Sequence, residues 1–278
     1  MRLARLLLAQ LQPPGADVEV GVALHEHAAI LGAERQRPLQ RARRIGIQRL
    51  QLHVAPRLAH RSEAIACARV TSGVTVVDHP LVARHLSVLR DRDTPSGEFR
   101  RRLREAAMLI GFEALRDLRL AEMEIETPLE TTAGARLGDD IVVIAILRAG
   151  LGMVEGFLAL MPEARVGHLG MYRDEEELSP VGYYESIPEH GPEAEIVLVD
   201  PMLATGGSAD SALTRLKERG AKRLRFVCLV AAPEGLEAVR ANHPDVPIFC
   251  ASVDRELDER GYIRPGLGDA GDRLYGTD

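Results

Sequence analysis

The chain has 278 residues, three cysteines and a net charge of −6, enough length for one catalytic domain and an additional segment. Beyond residue 70 it carries 24 basic and 36 acidic residues, which argues against a nucleic-acid-binding surface, because such surfaces neutralise phosphates with Lys and Arg. No apolar run approaches the ~20 residues that span a bilayer, and the cysteines lack metal-binding spacing, so we expect a cytoplasmic protein without membrane or nucleic-acid partners.

Residues 1–70 differ in composition from the rest of the chain. They contain 11 arginines, five acidic residues and no Lys, Phe, Tyr or Trp, whereas all five Phe and all five Tyr come later. We therefore predict an atypical Arg-rich extension over residues 1–70, poorly ordered or added by a mis-assigned start codon, and a catalytic domain over residues 71–278. A transit peptide is the alternative, since such peptides are Arg-rich and poor in acids.

The domain from residue 71 alternates helical patterns with short apolar runs, which is typical of an α/β fold with a mostly parallel central sheet flanked by helices. Ligands are expected at the carboxyl ends of such strands. The predicted strands are residues 141–147, 166–172, 196–199, 226–231 and 248–253, and the predicted helices are residues 99–120, 153–159, 208–219 and 236–242.

Two of the strands end at arginines. Arg148 follows the first strand with Gly150 and Gly152, and Arg173 follows the second. A guanidinium with backbone N–H groups freed by glycine can bind an anion such as diphosphate. Residues 174–188, which are acidic and then polar, are interpreted as a mobile lid, with a hairpin that packs its tyrosines as the alternative.

The strand over residues 196–199 leads into Asp200-Pro-Met-Leu-Ala-Thr-Gly-Gly-Ser208 and then a helix. Thr205 and Ser208 offer hydroxyls, and the glycines let N–H groups at a helix N-terminus approach a phosphate. No Lys follows the glycines, so a sugar monophosphate fits better than a nucleoside triphosphate. Asp200 is placed to accept hydrogen bonds from the hydroxyls of the sugar.

Two later features complete the sequence-based interpretation. Cys228 and Cys250 lie inside apolar runs, so we interpret them as buried small hydrophobes and not as nucleophiles. Residues 261–273 hold four glycines without periodicity, which predicts an irregular segment whose backbone faces a ligand.

Several of these motifs, in this order, resemble those of the uracil phosphoribosyltransferases. They are residues 148–153 (Arg-Ala-Gly-Leu-Gly-Met), 170–174 (Gly-Met-Tyr-Arg-Asp), the loop 200–208, and Gly-Tyr-Ile with Pro-Gly-Leu-Gly-Asp-Ala-Gly-Asp-Arg at residues 261–273. The resemblance covers about residues 74–277 and implies the type I phosphoribosyltransferase fold with a small hood. Pro201, where the wider fold class usually has a second acid, is similar to the uracil-specific branch.

The resemblance implies transfer of the phosphoribosyl group from 5-phosphoribosyl 1-diphosphate (PRPP) to N1 of uracil, giving UMP and diphosphate. It implies catalytic roles for Arg148, Arg173 and Asp200. It implies PRPP binding by these three residues together with Pro201, Met202, Leu203, Ala204, Thr205, Gly206, Gly207, Ser208 and Asp269. It implies that Ile263, Gly268, Asp269 and Ala270 read uracil. Arg264 departs from the family pattern, because an apolar residue is expected beside the base.

The resemblance further implies Mg²⁺ bound mainly through the PRPP diphosphate, with no protein metal ligands, and GTP as an allosteric activator, as in some relatives. We also expect a homo-oligomer. Two alternatives stay open at this point: a non-catalytic regulator that senses PRPP or UMP and binds RNA, and a transferase for another nucleobase. The acidic catalytic part argues against the first.

Overall fold

The computed structural model describes residues 68–71, 73–173 and 180–277. The strands are β1 (Ala68–Thr71), β2 (Val74–Val77), β3 (Leu120–Glu126), β4 (Thr131–Leu137), β5 (Ile141–Leu147), β6 (Arg165–Arg173), β7 (Pro180–Ser186), β8 (Glu195–Val199), β9 (Met202–Leu203), β10 (Arg223–Val227), β11 (Val230–Ala231), β12 (Ile248–Cys250), β13 (Ser252–Val253), β14 (Glu256–Leu257) and β15 (Ile263–Arg264). The helices are α1 (Pro80–Arg90), α2 (Ser96–Ala114), α3 (Leu151–Leu160), α4 (Gly207–Glu218), α5 (Pro233–Asn242) and α6 (Ala270–Tyr275).

The main sheet has eight strands in the order β1-β2-β12-β10-β8-β5-β6-β7. Its inner pairs are parallel, and the two edge pairs, β1 with β2 and β6 with β7, are antiparallel. The predicted α/β class with a mostly parallel sheet is confirmed.

Apolar side chains on both faces of the inner strands explain the layers around the sheet. Val143 and Ala145 of β5 belong to a core shared with α1, α2, α3 and α6, whereas Val142 and Ile144 belong to the core under α4 and α5. Successive side chains of a strand point to opposite faces, so an unbroken apolar run needs cover on both sides.

Two predicted strands were wrong in extent, because each apolar run serves two sheets. Residues 226–231 divide into the end of β10 and all of β11, and residues 248–253 divide into β12 and β13. β11 and β13 join β9 in a separate three-stranded parallel sheet. Hydropathy cannot mark the first of these changes of partner, because the residues at the junction stay buried: Cys228 and Leu229 have no exposed surface.

Other departures concern helix ends. The helix predicted over residues 99–120 ends at Ala114, and Leu120 already begins β3. The segment 261–273 is not wholly irregular, since it holds β15 and the start of α6. Asp269 caps α6 by accepting the Asp272 N–H at 3.0 Å. This hydrogen bond stabilises the helix, although the neighbouring glycines disfavour helical structure.

β1 pairs along its whole length with β2, so the predicted domain boundary after residue 70 falls within a strand. The predicted extension lies, up to residue 67, outside the described residues. Within the part of the chain that the structure covers, no helix combines the length and apolar character needed to cross a membrane.

Candidate active site

The candidate site lies where the strand order reverses. The next strand in the chain, β6, lies on one side of β5. The later strands β8, β10 and β12 lie in that order on its other side. Loops that leave the carboxyl ends of such strands diverge and open a crevice, the usual ligand site of an α/β sheet. Gly150 shows how closely the loops after β5 and β8 approach, because an added Cβ would lie 2.6 Å from the carbonyl oxygen of Val199.

The loop after β8 is fixed through its backbone. The Pro201 carbonyl accepts the N–H groups of Leu229 and Val230 at 3.0 and 3.2 Å, and the Leu203 carbonyl accepts the N–H of Ala232 at 2.8 Å. These bonds join the loop to β11 and the start of α5. The loop therefore rests on the small sheet instead of standing free in solvent.

The loop ends at the N-terminus of α4. Gly206 has φ +88°, a left-handed conformation that favours glycine, and no side chain caps the first turn of the helix. Uncapped N–H groups at a helix N-terminus bind anions well. Residues 205–208 thus form the predicted glycine loop that leads into a helix N-terminus, and phosphate binding there stays a prediction.

Gly235 of α5 supports the loop from behind, and sequence reasoning missed it. A Cβ at Gly235 would lie 2.3 Å from the Ala204 carbonyl oxygen and 2.9 Å from that of Leu203. Glycine inside a helix is unfavourable, so its presence within residues 233–242 was the available clue to a close backbone approach.

Asp200, half-buried at the end of β8, has an unusual acidity. Burial raises its pKa to about 7, a hydrogen bond from the Met202 N–H opposes that shift, and the negative charge of Asp269 adds to it. Asp269 therefore lies near Asp200, although 69 positions separate them in the sequence. The structure brings these two predicted site residues together.

Arg148 reaches the same region from β5. Its guanidinium is 3.5 Å from the Asp272 carboxylate and 5.8 Å from the centre of the Tyr275 ring, and the side chain is 57% exposed. The Tyr275 hydroxyl donates to the Arg148 carbonyl at 3.3 Å. Contacts with α6 thus hold Arg148 in place and leave much of its cationic head open to an anion.

Arg173 is the last residue of β6, on the same carboxyl side of the sheet, and pairs in register with Pro180. Part of the lid predicted over residues 174–188 is instead the regular strand β7, and residues 174–179 lie outside the described residues. The pairing of β7 with β6 agrees with the hairpin alternative. Tyr183 sits beside Gly170, where an added Cβ would lie 2.7 Å from its ring.

The C-terminal segment supplies the remaining predicted residues. Ile263 and Ala270 are buried in the core, while Gly268 and Asp269 are exposed at the turn between them. Arg264, the departure from the family pattern, is exposed and its Nε donates to Asp258 at 2.9 Å. The alternation along β15 therefore turns Arg264 away from the core that holds Ile263.

Cys228 and Cys250 are fully buried, as predicted. Burial raises the pKa of the Cys228 thiol, and the neighbouring Cys250 and the charge of Asp200 act in the same direction. A thiol with a raised pKa is a poor nucleophile at neutral pH. Both cysteines thus act as packing residues beneath the loop.

Comparison with known proteins gives concordant results. Residues 76–277 match the family model described as uracil phosphoribosyltransferase. A uracil phosphoribosyltransferase of Salinibacter ruber is 56% identical over 204 residues, covering 73% of this chain and 97% of its own length. One from Clostridium botulinum is 54% identical over 207 residues, covering 74% and 99%.

A solved structure is also similar. The AQ2163 protein from Aquifex aeolicus superposes with a TM-score of 0.71 at 39% identity, covering 74% of this chain and 99% of that one. The sequence match, the fold and the clustered site residues therefore occupy the same part of the chain.

Proposed function

Since this chain belongs to the uracil phosphoribosyltransferase family, we infer that it makes UMP and diphosphate from uracil and PRPP at the crevice between β5 and β8. The observation that carries this assignment to particular residues is the convergence at one switch point. There the loop of residues 200–208, Arg148 and the C-terminal segment around Asp269 meet.

The sugar phosphate belongs to the loop after β8. Residues 204–208 bind the 5-phosphate through backbone N–H groups and the hydroxyls of Thr205 and Ser208, and Asp200 accepts hydrogen bonds from the ribose hydroxyls. The uncapped first turn of α4 supports this assignment. Pro201, Met202 and Leu203 contribute the backbone that joins the two parts.

The diphosphate and the base bind to the loops after β5 and β6 and to the C-terminal segment. Arg148 and Arg173 donate to the diphosphate from neighbouring strand ends, and Asp269 contacts the sugar diphosphate from the N-terminus of α6. Ile263, Gly268 and Ala270 present the backbone that reads uracil, and their position beside Asp269 supports this.

The chemistry follows from this arrangement. The bond between the anomeric carbon and the diphosphate oxygen breaks first, which gives oxocarbenium character at the sugar and negative charge on diphosphate. Arg148, Arg173 and backbone N–H groups stabilise that charge in place, uracil N1 then bonds to the anomeric carbon, and the N1 proton is released. Positioning of the two substrates supplies the rest of the acceleration.

Phosphoribosyltransferases generally use Mg²⁺, and the site suits an ion that enters with PRPP. Among the described residues no group of three or more His, Cys, Asp or Glu side chains could hold a metal. Mg²⁺ commonly binds through substrate phosphates and one or two carboxylates, and Asp200 and Asp269 are two neighbouring carboxylates. The PRPP diphosphate would hold the ion, and the negative charge of these two residues would favour a cation there, where it would supply charge neutralisation.

The β3–β4 hairpin supports a homo-oligomer. Both of its strands are largely exposed, and Leu120, Met123, Ile125 and Leu129 present apolar side chains to solvent. An isolated two-stranded hairpin is marginal in water, so these side chains are expected to pack against another copy of the chain.

Three expectations rest on the resemblance and the composition. Apart from residues 68–70, which belong to β1, residues 1–70 form no part of the transferase, which mass spectrometry of the native N-terminus tests. GTP activates the enzyme, which its addition to the assay tests. The protein works in the cytoplasm, which fractionation of the source cells tests.

The central experiment measures UMP formation from uracil and PRPP, with and without Mg²⁺, for the wild type and Arg173→Ala. Loss of a donor to the developing charge should lower kcat/KM by about 100-fold or more. Arg165→Ala is the matched control, because Arg165 lies at the opposite, amino-terminal end of the same strand, where it pairs with Asp140. Undiminished turnover in Arg173→Ala would refute the role given to Arg173.

Two other outcomes correspond to the alternatives. Efficient use of cytosine, hypoxanthine or orotate in place of uracil would assign a different acceptor. Absence of UMP formation together with retention of RNA on a filter would indicate a regulatory protein.

A further inference from the structure

Two charged side chains, Asp254 and Arg90, bind the turn between Ile263 and Gly268. Neither belongs to β15 or α6, the elements on either side of the turn. The Gly266 N–H donates to the Asp254 carboxylate at 2.9 Å, and the Gly266 carbonyl accepts from Arg90 at 2.8 Å. Both backbone polar groups of Gly266 are thus bound by one ion pair. Gly266 itself has φ +61°, and a Cβ there would lie 2.1 Å from the Ile263 carbonyl oxygen.

Several hydrogen bonds fix the geometry of the ion pair between Arg90 and Asp254. Two nitrogens of Arg90 bind the two oxygens of Asp254 at 2.8 and 2.5 Å, and the Ser252 hydroxyl donates a further bond at 2.8 Å. The Asp254 side chain is only 2% exposed and that of Arg90 23%. A two-pronged pair of this kind fixes direction as well as distance.

Asp254 also connects the turn with the sugar-phosphate loop. Its N–H donates to the Ala231 carbonyl at 2.8 Å, directly after β13. β13 pairs with β11, and β11 pairs with β9, which is part of the loop of residues 200–208. One short sheet therefore runs from the proposed phosphate site to the carboxylate that holds the proposed uracil turn.

Arg273 adds a second attachment on the other side of the turn. It donates to the Leu267 carbonyl at 2.9 Å and to the Leu89 carbonyl at the end of α1, the helix that also carries Arg90. The guanidinium lies 4.4 Å from the centre of the Phe99 ring. The turn is consequently fixed at two successive residues, Gly266 and Leu267.

We propose that Asp254, oriented by Arg90, is a positioning residue that sets where the uracil turn stands relative to the sugar-phosphate loop. The proposal rests on the function given above, in which residues 263–270 read uracil. Asp254 touches no substrate and acts through Gly266. Since small displacements of reacting groups cost large factors in rate, its loss should affect the acceptor more than the donor.

The test compares steady-state kinetics of the wild type with Asp254→Asn, varying uracil and PRPP separately. The amide keeps the shape of the side chain but removes the charge that pairs with Arg90. We expect kcat/KM for uracil to fall by about tenfold or more, while KM for PRPP changes by less than about threefold. The double variant Asp254→Asn with Arg90→Gln, in which two neutral amides face each other, should recover part of the loss.

Glu195→Gln is the matched control. Glu195 is another buried carboxylate paired with an arginine, Arg225, but it lies at the amino end of β8, away from the site. It should lower the unfolding temperature without the selective effect on uracil. If Asp254→Asn does not fold, Arg90→Lys carries the test, because it keeps the charge and loses the two-pronged contact.

The outcomes separate this inference from the function on which it rests. A wild type that forms no UMP would overturn the function. An active wild type whose uracil kinetics are unchanged in Asp254→Asn, or equally impaired in Glu195→Gln, would overturn the positioning role and leave the function intact.

Discussion

The environment of Asp200 opposes the protonation state that its proposed role requires. In the proposed function the side chain accepts hydrogen bonds from sugar hydroxyls, which the carboxylate form does best, whereas burial and the charge of Asp269 favour the protonated form. A neighbouring cation relieves this conflict, because positive charge restores the carboxylate. Protonation of Asp200 in the free enzyme therefore competes with the carboxylate form near neutral pH.

This acidity predicts a pH profile. kcat/KM for PRPP reports on the free enzyme, so it should fall as pH drops below about 7, by close to tenfold per unit once protonation dominates. Measurement from pH 5.5 to 9 checks this. Asp200→Asn, which cannot ionise, should be weak and lack that titration. A wild-type profile that stays level down to pH 5.5 would contradict the raised pKa.

Gly235 offers a second prediction at the same scale. Gly235→Ala places a Cβ 2.3 Å from the Ala204 carbonyl oxygen, so either the loop or α5 has to move. We expect kcat/KM for PRPP to fall by about tenfold or more, since misplaced backbone N–H groups stabilise the phosphate poorly. Gly191→Ala is the control, because its added Cβ would meet nothing within 4 Å. Equal kinetics for the two variants would refute the supporting role of Gly235.

Among the elements, the β3–β4 hairpin gives the clearest expectation. Met123→Glu should shift the wild-type oligomer towards monomer in analytical ultracentrifugation, because a buried unpaired carboxylate is costly at an apolar interface. Leu81→Glu, which alters an exposed leucine of α1, should leave the mass unchanged. A wild type that sediments as a monomer at every concentration would exclude the homo-oligomer.

The sequence predicted elements best where burial is two-sided. β5 was predicted with its observed ends, because six of its seven residues are buried and the apolar run is unbroken. α4 was predicted to within one residue at each end, since a glycine loop marks its start. α1 was missed although Pro80 at its first turn is a known start signal. β3 was missed although residues 122–126 alternate between polar and apolar, the usual strand pattern, whereas β4 shows no such alternation.

Some residues of the candidate site could be predicted from local sequence, and others could not. Its loop and arginines follow strand ends and could be located from local sequence alone, as with Arg148 and residues 200–208. Asp254 and Arg90 could not, because their partners lie 12 and 164 positions away and an isolated Asp or Arg has no distinctive local pattern. Gly235 likewise depends on a contact that only the folded chain creates.

At the scale of the whole molecule, Asp254 joins α1, the small sheet and the C-terminal segment, so its ionisation affects global stability. Burial acts to raise its pKa, but hydrogen bonds from Arg90 and Ser252 outweigh that effect and hold the pKa below its ordinary value. A depressed carboxyl pKa stabilises the fold above about pH 4 and ceases to do so as pH falls through the folded-state pKa.

Urea unfolding at several pH values checks this consequence. Asp254→Asn should be about 3 kcal/mol less stable than the wild type at pH 7, the usual cost of breaking a buried pair, and the difference should shrink towards pH 3. A difference that stays constant from pH 7 to pH 3 would show that charge is not the cause.

The C-terminal segment has one more consequence. β12 is the last strand of the main sheet, so everything after Asp254 is appended to a framework that already contains the loops after β5 and β8. The residues proposed to read uracil thus all lie in this segment, which also supplies Asp269 to the donor side, whereas the rest of the proposed donor site belongs to the scaffold. Exchange of residues 255–268, with Arg90, Asp254 and Arg273 retained, is accordingly the most direct route to a transferase that accepts a redesigned base.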